Sequence, residues 1–356
     1  MASVTLDEIE RWLREDRDDV LADLWERADQ VRRETVGDEV HLRGLVEFSN
    51  YCLRNCTYCG IRRGNRRLQR YRMEAEEILA CAQLAQRLGY GTVVLQSGQD
   101  EDFPAEWLAD VIYEIKKSTG LAVTLSVGER DVEELRLWKE AGADRYFLRF
   151  ETSDPHLYRR IHPPLPGRSP DRIAQLRIMR ELGYEIGSGV MIGIPGQSFR
   201  SLARDILLFA ELDLDMIGVG PYIAHPDTPL GRSPRPLRDG EQVPATDRMT
   251  YKVIALARLV CPEANIPATT ALATVNAREG RALGLARGAN VVMPNITPLR
   301  YRTLYDIYPG KGEGAENPEA AHLRLLQLLE SLGRKPGSGP GSRMKRACGA
   351  GVLMGT

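Results

Sequence analysis

The sequence predicts an α/β protein built around a TIM-type (β/α)8 barrel, with N-terminal helices and a C-terminal extension. From residue 41 onward, short runs rich in β-branched residues alternate with longer amphipathic stretches, a pattern typical of a parallel sheet covered by helices. Eight such runs are present, the number that closes a barrel. The length of 356 residues would also allow two domains, so the strand count is what favours a single barrel.

Residues 1–38 are predicted to form a helical preamble, because apolar residues recur at helical spacing from Leu6 to Trp25. The barrel is predicted to occupy residues 39–300. Its strands are expected, in order, at 41–48, 92–96, 121–127, 146–150, 185–192, 216–219, 265–270 and 290–293. The intervening helices are expected near 75–88, 104–118, 132–141, 171–182, 199–212, 246–259 and 277–286.

Residues 301–356 are predicted to form an extension that closes the barrel. This extension contains one more amphipathic helix near 318–332. The Gly- and Pro-rich tail that begins at Gly333 is expected to be flexible or wrapped over the surface.

The charge balance excludes a general attraction for polyanions. Lys and Arg number 48 against 49 Asp and Glu, so neither nucleic acid nor an anionic membrane is an expected partner. Any anionic ligand must therefore meet local positive charge. The N-terminus is charged from Asp7 onward and has no apolar run of signal or membrane length, so a cytoplasmic location is expected.

Three of the six cysteines, Cys52, Cys56 and Cys59, follow the first predicted strand with the spacing Cys-x3-Cys-x2-Cys. Barrel active sites are assembled at this end of the strands. A structural zinc ion would need a fourth ligand, and no histidine lies within ten residues. Three thiolates on a tight loop instead suit three corners of one 4Fe-4S cluster, which leaves one iron open to a ligand. The other cysteines are scattered and are expected to be ordinary core or surface residues, namely Cys81, Cys261 and Cys348.

The cysteine motif, with Tyr58 before its last cysteine, resembles the signature of the radical S-adenosylmethionine (SAM) superfamily. From about Phe48 to about Lys335, the chain also resembles the FeFe hydrogenase maturases, relatives of biotin synthase and methylornithine synthase. The matching segments are FSNYCLRNCTYCGIRRGN, LQSGQDEDF, VTLSVGER, KEAGADRYFLRFET, GSGVMIGIPGQ, GVGPYIAHPDTPL, NIPATTA, NVVMPNITP and LYDIYPGK.

The resemblance implies that SAM binds the open iron and is cleaved reductively to a 5′-deoxyadenosyl radical. It further implies that the radical acts in assembly of the hydrogenase H-cluster, on a cysteine-bound iron carbonyl–cyanide synthon delivered by a partner maturase. Transient contacts with other maturation proteins follow from it. Some family members carry a second cysteine triplet after the YPGK turn, but this chain has GEGAENPEAAHL there, so one cluster is expected.

Residues at the ends of the predicted strands are the candidates for binding SAM. Charged side chains are costly inside a barrel unless they are paired or hold a ligand, which marks Arg149 and Glu151 as site residues. The resemblance implies SAM contacts for seven residues: Tyr58, Ser97, Gly98, Ser126, Glu151, Arg172 and Met216. Seen alone, residues 96–98 would be a plain turn, but their place after the cysteine loop favours a functional role. Ser126 and Thr124 could equally be barrel hydroxyls with satisfied hydrogen bonds, Met216 could be core, and Arg172 could be a solvated helix arginine.

A second group is predicted to be catalytic: Gln96, Thr124, Arg149, Thr269, Thr270 and Tyr308. Of these, Thr269, Thr270 and Tyr308 are expected to line the cavity opposite the cluster, where the resemblance places the substrate. Strand alternation predicts that Thr124 faces the same side as Ser126. It also predicts that only one of Thr269 and Thr270 points fully inward, unless the strand is distorted. His225, in a Pro-rich loop, is interpreted as structural.

Two other functions remain open at this stage. One is an amino-acid mutase of the methylornithine synthase type, which the apolar and hydroxyl-bearing lining mildly disfavours. The other is a non-enzymatic iron-sulfur scaffold, which would hold a cluster without cleaving SAM.

Overall fold

A computed structural model describes residues 4–165, 171–238, 240–311 and 316–344. Cys348 lies outside these ranges. The strands are β1 (Glu39–Ser49), β2 (Thr92–Ser97), β3 (Ala122–Ser126), β4 (Arg145–Phe147), β5 (Glu185–Ser188), β6 (Met191–Ile192), β7 (Met216–Ile217), β8 (Gly220–Pro221), β9 (Val291–Val292) and β10 (Lys335–Pro336).

The helices begin before the barrel and then alternate with its strands. They are α1 (Leu6–Arg14), α2 (Asp18–Val36), α3 (Ala75–Arg87), α4 (Ala105–Thr119), α5 (Val132–Glu140), α6 (Pro155–Ile161), α7 (Arg172–Glu181), α8 (Phe199–Glu211), α9 (Pro229–Arg232), α10 (Asp247–Val260), α11 (Thr270–Val275), α12 (Gly280–Ala286), α13 (Leu299–Arg302) and α14 (Pro318–Ser331). Among the described residues, no helix has the combination of length and apolar character needed to span a bilayer.

The central sheet is parallel and curls into a ring. Its neighbours follow the order β1, β2, β3, β4, β5, β7. The ring continues through single bridges that join Met216 to Asn265 and Pro267 to Val291. Strand β9 then pairs with β1, so the ring is completed. The predicted α/β barrel class is confirmed.

The seventh predicted strand, 265–270, does not form a regular strand. It contributes bridges at Asn265 and Pro267 but forms no continuous ladder. Proline has no N–H to donate to a ladder, and the chain turns into α11 immediately afterwards. Thr269 caps this helix by accepting a hydrogen bond from the Leu272 N–H.

Two other predicted strands are divided. The run 185–192 forms β5 and β6, while β7 covers only part of 216–219 and is followed by β8. At the division the two backbones approach closely, since a Cβ built on Gly189 would lie 1.9 Å from the Gly218 carbonyl oxygen. Glycine at position 189 permits this approach. Strands β6 and β8 then pair with each other, away from the main sheet.

The N-terminal helices pack on the outside of the barrel, where α1 contacts α8 and α2 contacts α10. Their apolar faces are buried, as the helical spacing predicts. The buried ammonium of Lys252 on α10 donates to the Leu13 carbonyl at 2.9 Å and pairs with Asp16 at 3.0 Å. These helices are therefore an integral part of the outer layer.

The tail crosses the barrel at the amino-terminal ends of its strands. Strand β10 pairs with the start of β1, and the carbonyl oxygens that follow accept hydrogen bonds from the barrel. The Pro340 carbonyl accepts from Thr92 and Arg145, both at 2.9 Å. The Gly341 carbonyl accepts from Arg43 at 3.1 Å and Asn265 at 3.0 Å. The described tail therefore covers this end of the barrel.

Candidate active site

The barrel encloses a cavity of about 320 Å³. All sixteen residues predicted from the sequence as site residues line it, from the cysteine loop to the far wall. They are Cys52, Cys56, Tyr58, Cys59, Gln96, Ser97, Gly98, Thr124, Ser126, Arg149, Glu151, Arg172, Met216, Thr269, Thr270 and Tyr308. The fold therefore places residues that are up to about 250 positions apart in the sequence around one cavity.

The cysteine loop has little regular structure and is held by hydrogen bonds from its surroundings. The Thr57 N–H donates to the Ile161 carbonyl at 2.9 Å, which ties the loop to α6. The Gly60 N–H donates to the Ile307 carbonyl at 3.0 Å, which ties it to the extension. The guanidinium of Arg70 donates to the carbonyls of Asn50, Ile61, Arg62 and Asn65. These bonds fix the loop backbone on several sides.

Gly98, at the end of β2, lies directly against the first cysteine. A Cβ built at this position would be 2.1 Å from the Tyr51 carbonyl oxygen and 2.7 Å from the Cys52 Cβ. Real side chains do not tolerate such distances, so glycine is required for the loop to pack here. The neighbouring Ser97 hydroxyl donates to the Gly98 carbonyl at 2.6 Å.

The three thiols lie in an environment that disfavours their charged form. Burial raises the pKa of Cys52, raises that of Cys56 to about 11, and raises that of Cys59 further through the neighbouring cysteines. The guanidiniums of Arg172 and Arg54 act in the opposite direction on the pKa of Cys56. Thiolates here need additional positive charge, which iron ions supply.

The donor set fits a cubane cluster. Among the described residues, no three His, Cys, Asp or Glu side chains are grouped as ligands of a single metal ion. A cubane has a different requirement, because each cysteine sulfur binds a separate iron. The cavity lining holds three cysteines, no histidine and no fourth cysteine.

A polar group lies beside the cysteines. The Tyr58 hydroxyl is 3.3 Å from a Glu151 carboxylate oxygen and 2.9 Å from His162 Nε2. The other Glu151 oxygen pairs with Arg149 at 3.1 Å. Glu151 adopts a positive φ of 65°, which is unusual for a residue other than glycine. Such strain is concentrated at functional sites, where it aims a side chain.

Arg172 is buried in the cavity wall rather than solvated. Its side chain is 10% exposed, and its Nε donates to the Glu129 carboxylate at 2.8 Å. One terminal nitrogen donates to the Arg149 carbonyl at 2.7 Å. A residue at the start of α7 is thereby fixed to the end of β4. The alternative of a solvated helix arginine is excluded.

The other wall combines hydroxyl and apolar groups. Thr124 and Ser126 share one side of β3, as predicted. Both Thr269 and Thr270 line the cavity, which is expected only if the strand is distorted. The reason is that these residues begin a helix rather than continue a strand, and the alternation of strand side chains does not apply. The Thr269 hydroxyl donates to the Val219 carbonyl at 3.0 Å.

His225 lies outside the cavity lining. Its Nε2 is 3.0 Å from an Asp306 carboxylate oxygen, and its Nδ1 accepts from the Asp227 N–H at 3.0 Å. It fixes the loop that precedes α9 to the extension, beside Gly60. This geometry supports its interpretation as structural.

Sequence reasoning missed three cationic residues of the lining: Arg43, Arg54 and Lys311. Arg43 alternates with Leu45 on β1, so a charged residue on the inward side of an otherwise apolar strand was the available signal. Arg54 lies inside the cysteine motif itself. Lys311 ends the YPGK segment and pairs with the buried carboxylate of Glu47. The cavity therefore carries the local positive charge that an anionic ligand needs.

We expect the stability of the protein to depend on pH through Asp205 of α8. This carboxylate is buried, accepts from the Ser153 N–H at 2.6 Å, and has one oxygen without a partner among the described residues. Burial raises its pKa to about 7. Between about pH 4 and pH 7 the folded state therefore keeps a proton that the unfolded chain releases, and stability falls as pH rises through this window.

Asp205→Asn should remove this dependence. Between pH 5 and pH 8, the unfolding free energy of the parent protein should fall by about 2–4 kcal/mol more than that of the variant. Urea titration at each pH measures both values. Equal losses in the two proteins would contradict the assignment.

Comparisons with known proteins identify the family of the chain. Residues 46–209 match the radical SAM superfamily. The chain is 47% identical to the FeFe hydrogenase maturase subunit HydE of Thermotoga maritima, over 90% of this chain and 89% of the relative. It is 27% identical to 3-methylornithine synthase of Methanosarcina acetivorans, over 93% of this chain and 89% of that one.

A crystal structure of methylornithine synthase superposes with a TM-score of 0.78 at 26% identity and 94% coverage of both chains. The FeFe hydrogenase maturase HydG shares the fold, with a TM-score of 0.74 at 19% identity, over 94% of this chain and 72% of that one. The chain is an enzyme of the radical SAM superfamily and belongs to its HydE family.

Proposed function

We propose that this enzyme binds one 4Fe-4S cluster through Cys52, Cys56 and Cys59, cleaves SAM, and acts in assembly of the FeFe hydrogenase H-cluster. The substrate proposed is a small cysteine-bound iron carbonyl–cyanide synthon supplied by a partner maturase. The observation that carries this proposal is a three-cysteine loop opening into a closed barrel cavity lined by cationic and hydroxyl-bearing residues. When bound, the reduced cluster supplies the electron that cleaves the SAM sulfonium to a 5′-deoxyadenosyl radical.

The chain's own residues have three tasks in this scheme. Arg172 and Glu151 offer opposite charges beside the cysteine loop, which suits the carboxylate and ammonium groups of SAM. The Tyr58 hydroxyl, which also contacts His162, donates to the Glu151 carboxylate from one side, and Arg149 pairs with that carboxylate from the other. The packed barrel keeps water away from a reactive radical.

The charge of the cavity supports an anionic or neutral substrate. Glu151 is the carboxylate of the lining, and Arg149 already pairs with it. Arg43 lies deeper, on β1, and donates to the Met216 sulfur at 2.8 Å and to the Gly341 carbonyl at 3.1 Å. Arg43 pairs with no carboxylate in the part of the chain that the structure describes, which favours a ligand that brings negative charge, such as a cyanide-bearing iron complex.

The second candidate is a mutase of the methylornithine synthase type, which the close structural similarity to that enzyme favours. Its amino-acid substrate would require a carboxylate for the substrate ammonium group in addition to those that serve SAM. The lining offers Glu151 for both tasks. We therefore rank this candidate second.

Two further elements complete the proposal. Contacts with other maturation proteins are expected to be transient, because the cargo is a small molecule passed between enzymes. We place the enzyme in the cytoplasm, since its unpaired thiols and its cluster require reducing conditions.

Anaerobic reconstitution with iron and sulfide tests the proposal. The reconstituted protein is reduced with dithionite and given SAM, and 5′-deoxyadenosine is measured. Wild-type protein should produce it, and a complete absence would contradict the cofactor assignment. The substrate is then tested by adding either lysine or a synthetic cysteine-bound iron carbonyl–cyanide complex. Methylornithine formed from lysine would overturn the maturase proposal in favour of the mutase.

A further inference from the structure

Arg54 has an unusual position among the buried cations of the described chain. Its side chain is 2% exposed and lines the cavity beside the cysteine loop. None of its three guanidinium nitrogens has a hydrogen-bond acceptor among the described residues. The Glu129 carboxylate is 3.7 Å away, beyond hydrogen-bond distance, and already accepts from Arg172 at 2.8 Å.

Buried arginines elsewhere in the described chain have most or all of their nitrogens hydrogen-bonded, which makes the contrast informative. Every guanidinium nitrogen of Arg145 donates a hydrogen bond, and Arg43 and Arg302 each leave only one nitrogen without an acceptor among the described residues. Arg258 is also buried and donates to the Gly288, Pro262 and Ala264 carbonyls and to the Asn290 side chain. Burying a guanidinium without such partners is strongly unfavourable. A residue kept in this state at the edge of a cavity points to a missing acceptor in that cavity.

The charges around Arg54 indicate what the acceptor is. Arg54 and Arg172 both face Glu129, so two guanidiniums share one carboxylate and one positive charge is left over. A planar guanidinium with several free N–H groups matches a carboxylate in geometry as well as in charge. The group that completes the site is therefore a carboxylate that enters beside the cysteine loop.

We propose that Arg54 binds the α-carboxylate of SAM together with Arg172, and that Glu129 is the shared counter-ion that keeps both guanidiniums aimed at it. This inference rests on the proposed SAM-dependent function and adds a residue to it. It also gives the site a basis for selecting SAM over analogues that lack the carboxylate, since those leave Arg54 buried and unpaired.

The first test uses Arg54→Met, which keeps an unbranched apolar side chain and removes the guanidinium with its charge. SAM affinity of the reconstituted protein, measured by equilibrium dialysis, should fall about tenfold to hundredfold, as expected for a lost charged hydrogen bond. Decarboxylated SAM should bind the variant and the wild type with nearly equal affinity. Arg54→Lys should recover part of the SAM affinity.

Thermal unfolding without SAM provides a second readout that is independent of turnover. Arg54→Met should melt at the same or a higher temperature than wild type, because it removes an unpaired buried charge. Arg258→Met is the matched control. It should lower the melting temperature, because it removes four hydrogen bonds that the buried guanidinium donates.

Three results would overturn the inference. The first is unchanged SAM affinity in Arg54→Met. The second is an equal loss of affinity for SAM and decarboxylated SAM, which would place Arg54 against another part of the ligand or the cluster. The third is a loss of iron and sulfide from the variant, which would make Arg54 part of the cluster loop. Failure of wild-type protein to bind SAM would contradict the proposed function instead.

Discussion

Cys56→Ser is expected to abolish cluster binding and SAM cleavage together. Cys56 is the central cysteine of the motif and is buried in the cavity wall. An alcohol at this position does not ionise near neutral pH, so one corner of the cluster would lose its ligand. We expect iron and sulfide content to fall to the background of chemical reconstitution. Formation of 5′-deoxyadenosine should fall by about a thousandfold or more, a loss of about 4 kcal/mol of transition-state stabilisation.

Cys81→Ser and Cys261→Ser are the matched controls. Both cysteines are buried but lie in the helical layer, Cys81 on α3 and Cys261 just after α10. Each substitution places a hydroxyl where a thiol was buried and should lower stability modestly. Iron content and SAM cleavage per folded protein should stay at the wild-type level. Cluster retention by Cys56→Ser, or cluster loss in a control, would contradict the assignment.

Gly98→Ala is expected to have the next largest effect, although it adds one methyl group. The new Cβ would collide with the Tyr51 backbone carbonyl and with the Cys52 Cβ, and neither can move without displacing the cysteine loop. We expect the cluster content to fall at least severalfold and SAM cleavage by about a hundredfold, as for a displacement of roughly 1 Å at an active site. Iron analysis and 5′-deoxyadenosine assays check both.

Gly91→Ala provides a control on the opposite end of the same strand. Its Cβ would lie 1.6 Å from the Gly339 carbonyl oxygen, an equally severe collision with backbone. That collision displaces the tail and leaves the cysteine loop alone. The control should therefore retain its cluster while the tail becomes sensitive to protease. If both variants lost iron equally, the specific role of Gly98 would be wrong.

The barrel and its cysteine site could be predicted from sequence because both are local signals. Strand and helix periodicities extend over five to fifteen residues, and Cys52, Cys56 and Cys59 lie within eight. The seventh strand was predicted wrongly because 265–270 has a strand-like composition. What decides its structure is the missing N–H of Pro267 and the helix cap at Thr269.

The role proposed for Arg54 could not be inferred from sequence, because it depends on the lack of hydrogen-bond acceptors near its guanidinium among the described residues. The sequence does not distinguish an arginine that is solvated from one that is buried without hydrogen-bond acceptors. The same holds for the Glu129–Arg172 pair, whose partners are 43 positions apart. Arg43 and Lys311 carried recognisable signals, but their burial became visible only once the ring of strands was closed.

The tail that crosses the barrel has a consequence for how the chain folds. Its carbonyl oxygens are held by Arg43 of β1, Thr92 of β2, Arg145 of β4 and Asn265 of the last bridged segment. Residues 337–342 therefore have no binding site until distant parts of the sheet have assembled. They also leave the ribosome after every strand of the ring. We expect docking of this segment to be a late folding step, so that its protection from proteolysis would report that the whole ring has formed.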